Sequence, residues 1–167
     1  MPVDAVDLID RAAFEAALAT ALDRAGLVDR DLALLLLAIP EGRGPAPEIV
    51  ASALWLHVRT NDIVCHLGGR MFGILLDTDA DGARVVASRI QAFVGDLLAG
   101  PTWLGLVAGT GADWTADGML ASASTALSRA LDAPGGRIEV GVGSGPPGGP
   151  SGQGRARWPG PGAPRRS

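Results

Sequence analysis

The sequence predicts an α+β fold in which a mixed sheet of about five strands carries helices packed mainly on one face. Apolar residues recur at helical spacing in several segments, and short apolar runs of strand length lie between them. The two kinds of segment alternate in the order α-β-α-β-β-α-β-α-β.

"DRAAFEAALATALDRAG" places Phe14, Leu18, Ala21, Leu22 and Ala25 on one helical face, with Gly26 as the stop. "DLALLLLAIP" is continuously apolar up to Pro40, as a central strand buried on both faces must be. "PEIVASALWLHVR" reads as a short helix with Pro47 in its first turn. In "NDIVCHLGGRMFGILLD" two apolar runs flank Gly68-Gly69, a pair that accepts the positive φ of a hairpin turn. Val86, Ile90, Phe93 or Val94, and Leu97 make the next helical stripe, with Asp79 or Asp81 as N-cap. "TWLGLVAG" is a strand. A helix follows with Met119, Ala123, Ala126, Leu127 and Ala130 on one side, and "GGRIEVGV" turns into the last strand. The centre of this order, β-α-β-β-α-β, is the ferredoxin-like split arrangement. Residues 1–142 form the predicted domain. Residues 143–167 are Gly-, Pro- and Arg-rich, and their composition predicts disorder.

Hydrophobic residues make up 47% of the 167, enough for a core. All 14 basic residues are arginine. Residues 1–140 hold ten of them against all 18 acids, a net charge of −8, which disfavours nucleic acid as a partner. Cys65 stands alone, so no disulfide framework or cysteine metal cluster is expected. The opening "MPVDAVDLID" lacks the order of a signal peptide, and the apolar run "LALLLLAI" is too short to span a bilayer. A cytoplasmic protein with no membrane contact is the resulting expectation.

Several segments together resemble the GGDEF family, the diguanylate cyclase domains. "IDRAAF" resembles N-R-x-x-F, with Asp10 for Asn. "LALLLLAIP" resembles a first strand ending in D-I-D. "NDIVCHLGGRMFGILL" resembles D-x-x-x-R-x-G-G-D-E-F-x-x-L-L, and "DTDADGARVVASRIQAFV" resembles the helix entry after it. "ASASTALSRALDAPGGRIEV" resembles A-D-x-A-L-Y-x-A-K-x-x-G-r-n-x-v. The resemblance implies a nucleotidyl-cyclase palm-like fold over roughly residues 3–140. In the family it also implies joining of two GTP molecules into cyclic di-GMP.

The residues that chemistry needs are replaced. Phosphodiester formation from GTP uses carboxylates to hold divalent metal against the triphosphate. The D-I-D positions read Ala38-Ile39-Pro40, and the signature turn reads Gly68, Gly69, Arg70, Met71, Phe72. A guanidinium at ~4 Å from a unit charge, at an effective dielectric of ~20, interacts by about 4 kcal/mol, and a divalent ion doubles the repulsion. The guanine-reading F-K-x-x-N-D segment has no counterpart, and "EGRGPAP" lies there instead. Leu131 stands for the phosphate-contacting lysine, and Ser124 and Ser128 for the Asp and Tyr of that helix. The expectation is a non-enzyme with no metal and no cofactor, the glycine pair being kept as a turn.

One family pattern is intact. "RTND" supplies Arg59 and Asp62, and five residues separate Asp62 from Gly68. The family's inhibitory R-x-x-D site binds cyclic di-GMP at this offset, so the resemblance implies recognition of that ligand by Arg59 and Asp62. Arginine's fork suits a phosphate or a guanine edge, and a carboxylate accepts from base donors. The plainer reading is a local ion pair worth about 0–1 kcal/mol. A protein partner, or a second copy in a homodimer, is the expectation from a different class. "DTDADG" imitates the start of a calcium loop, but Ser88 stands at its twelfth position. His57 and His66 lack nearby ligand partners. Trp55 and Trp103 are expected in the core or at a subunit contact, and Trp114 in a loop.

Overall fold

The computed structural model describes residues 10–42 and 44–141. The proposed tail, 143–167, lies outside the described residues. Nine elements follow the predicted order. They are α1 (Arg11–Leu27), β1 (Asp31–Ala38), α2 (Pro47–Leu54), β2 (Ile63–Gly68), β3 (Met71–Leu76), α3 (Ala80–Leu98), β4 (Trp103–Thr110), α4 (Ala116–Ala130) and β5 (Arg137–Val140). A 3-10 turn, Trp55–His57, prolongs α2, and another, Gly111–Asp113, follows β4.

The five strands form one sheet in the order β2-β3-β1-β4-β5. β1 pairs antiparallel with both β3 and β4, and β5 lies parallel to β4, so the sheet is mixed. The central position of β1 explains its unbroken apolar run. Ala33, Leu35, Leu37 and Ile39 enter one core with Val50 and Leu54 of α2 and Ile90 and Val94 of α3. Leu34 and Leu36 enter the opposite core with Phe14 and Leu18 of α1 and Met119 and Leu127 of α4.

This corrects one expectation. The two crossover helices of the ferredoxin-like centre, α2 and α3, do share a face. However, α1 and α4 cover the other, so the helices divide between both faces. A strand apolar on both sides needs cover on both sides.

Local chemistry sets the ends. The Asp10 carboxylate caps α1 by accepting from Ala13 N–H at 2.7 Å. α1 runs one residue past Gly26, and Asp29 takes the left-handed turn at φ 54°. Asp79 is the N-cap of α3 and accepts from Gly82 N–H at 2.8 Å. The buried stripe of α3 is Ala83, Ala87, Ile90, Val94 and Leu98. Leu97 is 38% exposed, so the predicted stripe is one position out of phase at its end. Trp103 lies against the second core and donates its indole N–H to the Ala133 carbonyl at 2.6 Å. Trp114 follows the second 3-10 turn but is buried beside Gly109.

Candidate functional site

The hairpin β2–β3 has a tip and a base, and each carries residues singled out in the sequence. Its strands are six residues long, so tip and base lie about 20 Å apart.

At the tip, Gly68 and Gly69 have φ 108° and 54°. A Cβ at either would meet nothing within 4 Å, so the backbone conformation, not crowding, demands glycine there. His66 Nε2–H donates to the Gly69 carbonyl at 2.8 Å, and its ring stacks on Phe72. The sheet register sets Ala38 opposite Met71, and Ile39 N–H donates to the Arg70 carbonyl at 3.1 Å. The end of β1 and the signature turn are therefore adjacent in space, as a two-sided metal site would require. What they bring together is Ala38, Ile39, Pro40, Arg70 and Met71. Ala38 and Ile39 are buried. This set has no oxygen-bearing side chain and does not fit a divalent ion. Among the described residues no group of three or more His, Cys, Asp or Glu is placed to hold a metal.

At the base, the chain leaves the 3-10 turn, crosses Val58–Asn61 and enters β2. Asp62 fastens this crossing. Its Oδ2 accepts from Arg59 N–H at 2.7 Å, and its Oδ1 accepts from Asp77 N–H at 2.9 Å. The residue is 6% exposed. The Asp62 N–H in turn donates to the Arg59 carbonyl at 3.0 Å. The R-x-x-D unit is thus a closed turn tied to Asp77, just past the end of β3, not an ion pair. Arg59 is exposed, and its guanidinium has no partner among the described residues.

Arg59 and Asp62 line a groove of about 490 Å³ between the crossing and the start of α3. The opposite wall is α3, through Gly82, Val85, Val86 and Arg89. Arg89 Nη2 donates to the His57 carbonyl at 3.0 Å, which holds this second guanidinium at the groove. The His57 ring packs on Phe93 with centroids 4.0 Å apart. Leu56 and Val85, 81% and 65% exposed, give the groove an apolar rim. Asp77 closes the far end, with Oδ2 accepting from Arg30 Nη2 at 3.0 Å. Arg89 was not singled out from sequence, although a signal existed. With Asp79 as N-cap, positions 82, 85, 86 and 89 recur at helical spacing along one flank of α3.

Cys65 is fully buried in β2, in the core on the α1 side of the sheet. Burial, with a smaller push from the Asp10 charge, raises its thiol from 9.0 to about 11. It therefore stays a neutral thiol at physiological pH.

No family model matches the chain, and no curated protein matches it. Solved structures do. The GGDEF domain of YfiN (TpbB) from Pseudomonas aeruginosa superposes with a TM-score of 0.67 at 25% identity, covering 81% of this chain and 98% of that one. The GGDEF domain of DgcB from Caulobacter crescentus, solved in complex with cyclic di-GMP, has a TM-score of 0.68 at 15% identity, covering 80% and 91%. The active GGEEF domain of a diguanylate cyclase from Vibrio cholerae has a TM-score of 0.68 at 16% identity, covering 82% and 99%. The strand order and the hairpin with its paired glycines agree with these likenesses, and the chain has the fold of the GGDEF domains.

Proposed function

We propose that this domain is a non-catalytic, cytoplasmic member of its family that acts by binding, and that its ligand is cyclic di-GMP held in the groove at the hairpin base. The observation that supports the binding half is the convergence of Arg59 and Arg89 on one groove, with Asp62 spent on holding the crossing in shape. Two guanidinium forks facing one cavity suit a ligand with two phosphates and two purines. The DgcB domain is a relative of the same fold solved with cyclic di-GMP. The non-catalytic half is supported by Ala38, Pro40, Arg70 and Met71, which stand where the resemblance requires carboxylates. Without them nothing at the tip would neutralise a triphosphate or lower the pKa of an attacking hydroxyl.

Isothermal titration of cyclic di-GMP into the full chain tests the binding half. Binding that Arg59→Ala weakens by at least about tenfold is the expected result, a loss in the range of one charge-assisted contact. Absence of heat in the wild type, or equal affinity in the variant, rejects it. Incubation with GTP and magnesium followed by product chromatography tests the other half, and cyclic di-GMP formation would reject it.

A second reading has its own observation. Leu56 and Val85 are large apolar side chains left open on the groove rim, as at a protein-docking surface. A protein partner or a second copy of the chain would cover them. Sedimentation of the purified chain over a range of concentrations tests the homodimer.

A further inference from the structure

The opposite face of the hairpin base carries a second groove, of about 640 Å³, on the α1 side of the sheet. It has no part in the function proposed above. Its volume falls within the ~300–1,000 Å³ of small-molecule pockets. Leu32 of β1, Ile63 of β2 and Leu75 of β3 form the floor and belong to or pack on the core shared with α1. One flank of α1 forms the wall, where Ala17, Ala21 and Ala25 recur at helical spacing. Side chains this short leave the space above Ile63 open, and Ile63 is only half-buried. The polar members gather at one end. Arg24 stands near the end of α1, Arg30 just before β1, Asn61 in the crossing that enters β2, and Asp77 just past β3. The other end has Ala16 and Ala17 and no charge. Asp77 Oδ2 accepts from Arg30 Nη2 at 3.0 Å, so these two charges offset one another. The Arg24 guanidinium is exposed and has no partner among the described residues. The groove therefore holds one surplus positive charge, in a body whose residues 1–140 carry −8.

We propose that this groove binds a free medium-chain carboxylate, with its head on Arg24 and Asn61 and its alkyl chain over Ile63 towards Ala17. One anionic group matches one surplus guanidinium, whose planar fork pairs both carboxylate oxygens. The Asn61 side chain adds an amide N–H donor at the same end. A ligand with several phosphates fits less well, because the Asp77 carboxylate stands beside the head position. A neutral ligand leaves Arg24 with water alone. Ala16 and Ala25 lie about 14 Å apart along α1, which is the run of wall available to the chain. Each methylene taken out of water there tightens binding by about fourfold at full burial, and by less where the groove is open.

NMR titration of the full, isotope-labelled chain with octanoate and decanoate, below their micelle concentrations, is the test. Both should shift the amides of Ala17, Ala21 and Ile63 saturably, with decanoate tighter by about two- to fourfold per added methylene. Decyltrimethylammonium has the same alkyl chain and the opposite head, and should bind weaker than decanoate by about tenfold or more. Arg24→Ala should weaken decanoate by at least about threefold, the scale of one exposed charge pair, and Arg24→Glu by more. Ala17→Leu, which fills the wall, should weaken decanoate while leaving the urea midpoint within error of wild type. Equal binding of decanoate and decyltrimethylammonium overturns the proposal by reducing the groove to an apolar surface. Binding that ignores chain length overturns it by reducing the contact to a surface arginine. Shifts confined to amides outside the groove, or none, overturn it outright. So does binding to phosphatidylglycerol vesicles by a chain that ignores decanoate, which would make the groove a membrane contact. Shifts of the same amides on raising protein concentration without any ligand would assign the groove to a second copy instead.

Discussion

Replacing Asp62 separates two roles that the R-x-x-D pattern leaves merged. If the carboxylate chiefly fastens the crossing to the hairpin, Asp62→Ala removes the acceptor of two half-buried N–H groups, those of Arg59 and Asp77. Hydrogen bonds to a charged group contribute about 1.5–3 kcal/mol each, so the pair amounts to about 3–6 kcal/mol. Water reaching the exposed side of the crossing recovers part of this, and a loss of about 3–4 kcal/mol is expected. A domain of about 130 residues has about two to four times that in total, so the variant folds but is clearly weakened. Asp62→Asn keeps one acceptor and sets an amide N–H against the other donor, for a loss of about 2–3 kcal/mol. Arg59→Ala removes an exposed guanidinium without a partner and should leave the unfolding midpoint where it was. Urea unfolding followed by tryptophan fluorescence measures all three, with an unchanged slope certifying the comparison. An Asp62→Ala loss below about 1 kcal/mol would refute the fastening role and return the carboxylate to the ligand.

The remaining predictions concern the scaffold. A Cβ at Gly105 would overlap the Ala123 carbonyl and the Leu127 amide, backbone atoms that cannot rotate aside, so Gly105→Ala should cost about 3 kcal/mol in the same assay. Gly69→Ala meets open space and only a left-handed φ of 54°, so about 1 kcal/mol is expected, and a larger loss would point to an unseen contact. Cys65 makes stability depend on alkali. Its folded pKa of about 11 lies above the ordinary 9.0, so the unfolded chain loses the proton first. The contribution is full below pH 9 and falls by about 2–3 kcal/mol as pH rises through 11. The chain has no lysine or tyrosine to titrate in that window. Urea midpoints of wild type and Cys65→Ala at pH 8 and pH 11 should therefore converge at the higher pH, and a constant difference would refute the assignment.

How much of this was legible in the sequence differs between the scaffold and the site. Element order came from periodicity because β1 and α4 bury strongly patterned faces, and the hairpin came from two glycines that need positive φ. The division of helices between faces was not read. Composition says that β1 is apolar on both sides but not which helix covers which side, and α1, rich in alanine on its outer face, gives a weak orientation signal. At the site, the pairing of Arg59 with Asp62 was legible as spacing. The direction of the carboxylate was not, because its partners are backbone amides, one of them just past the end of β3, and backbone donors carry no sequence signature. Arg89 was missed for a related reason. It reaches the groove only through the packing of α3 beside the 3-10 turn, a tertiary contact between residues 57 and 89.

On the proposed function, the distance between tip and base bears on how such a domain could lack turnover and still bind. The tip depends on the end of β1 and the start of β3, where Ala38 lies against Met71 and Trp103 and Arg70 stands in the turn. These residues set the charge at one end of the sheet without disturbing its ladder. The base depends on the N-termini of β2 and α3 and on bonds from Asp62 and Arg89 that never reach the tip. With about six residues of hairpin between them, a charge change at half-buried Arg70 lies about 20 Å, roughly two Debye lengths, from the base. On the proposed function, installing acids at Arg70 and Met71 would therefore leave ligand affinity at the base within about twofold at 0.15 M salt. It would still not restore turnover, because Ala38 and Pro40 supply no carboxylate from the facing strand.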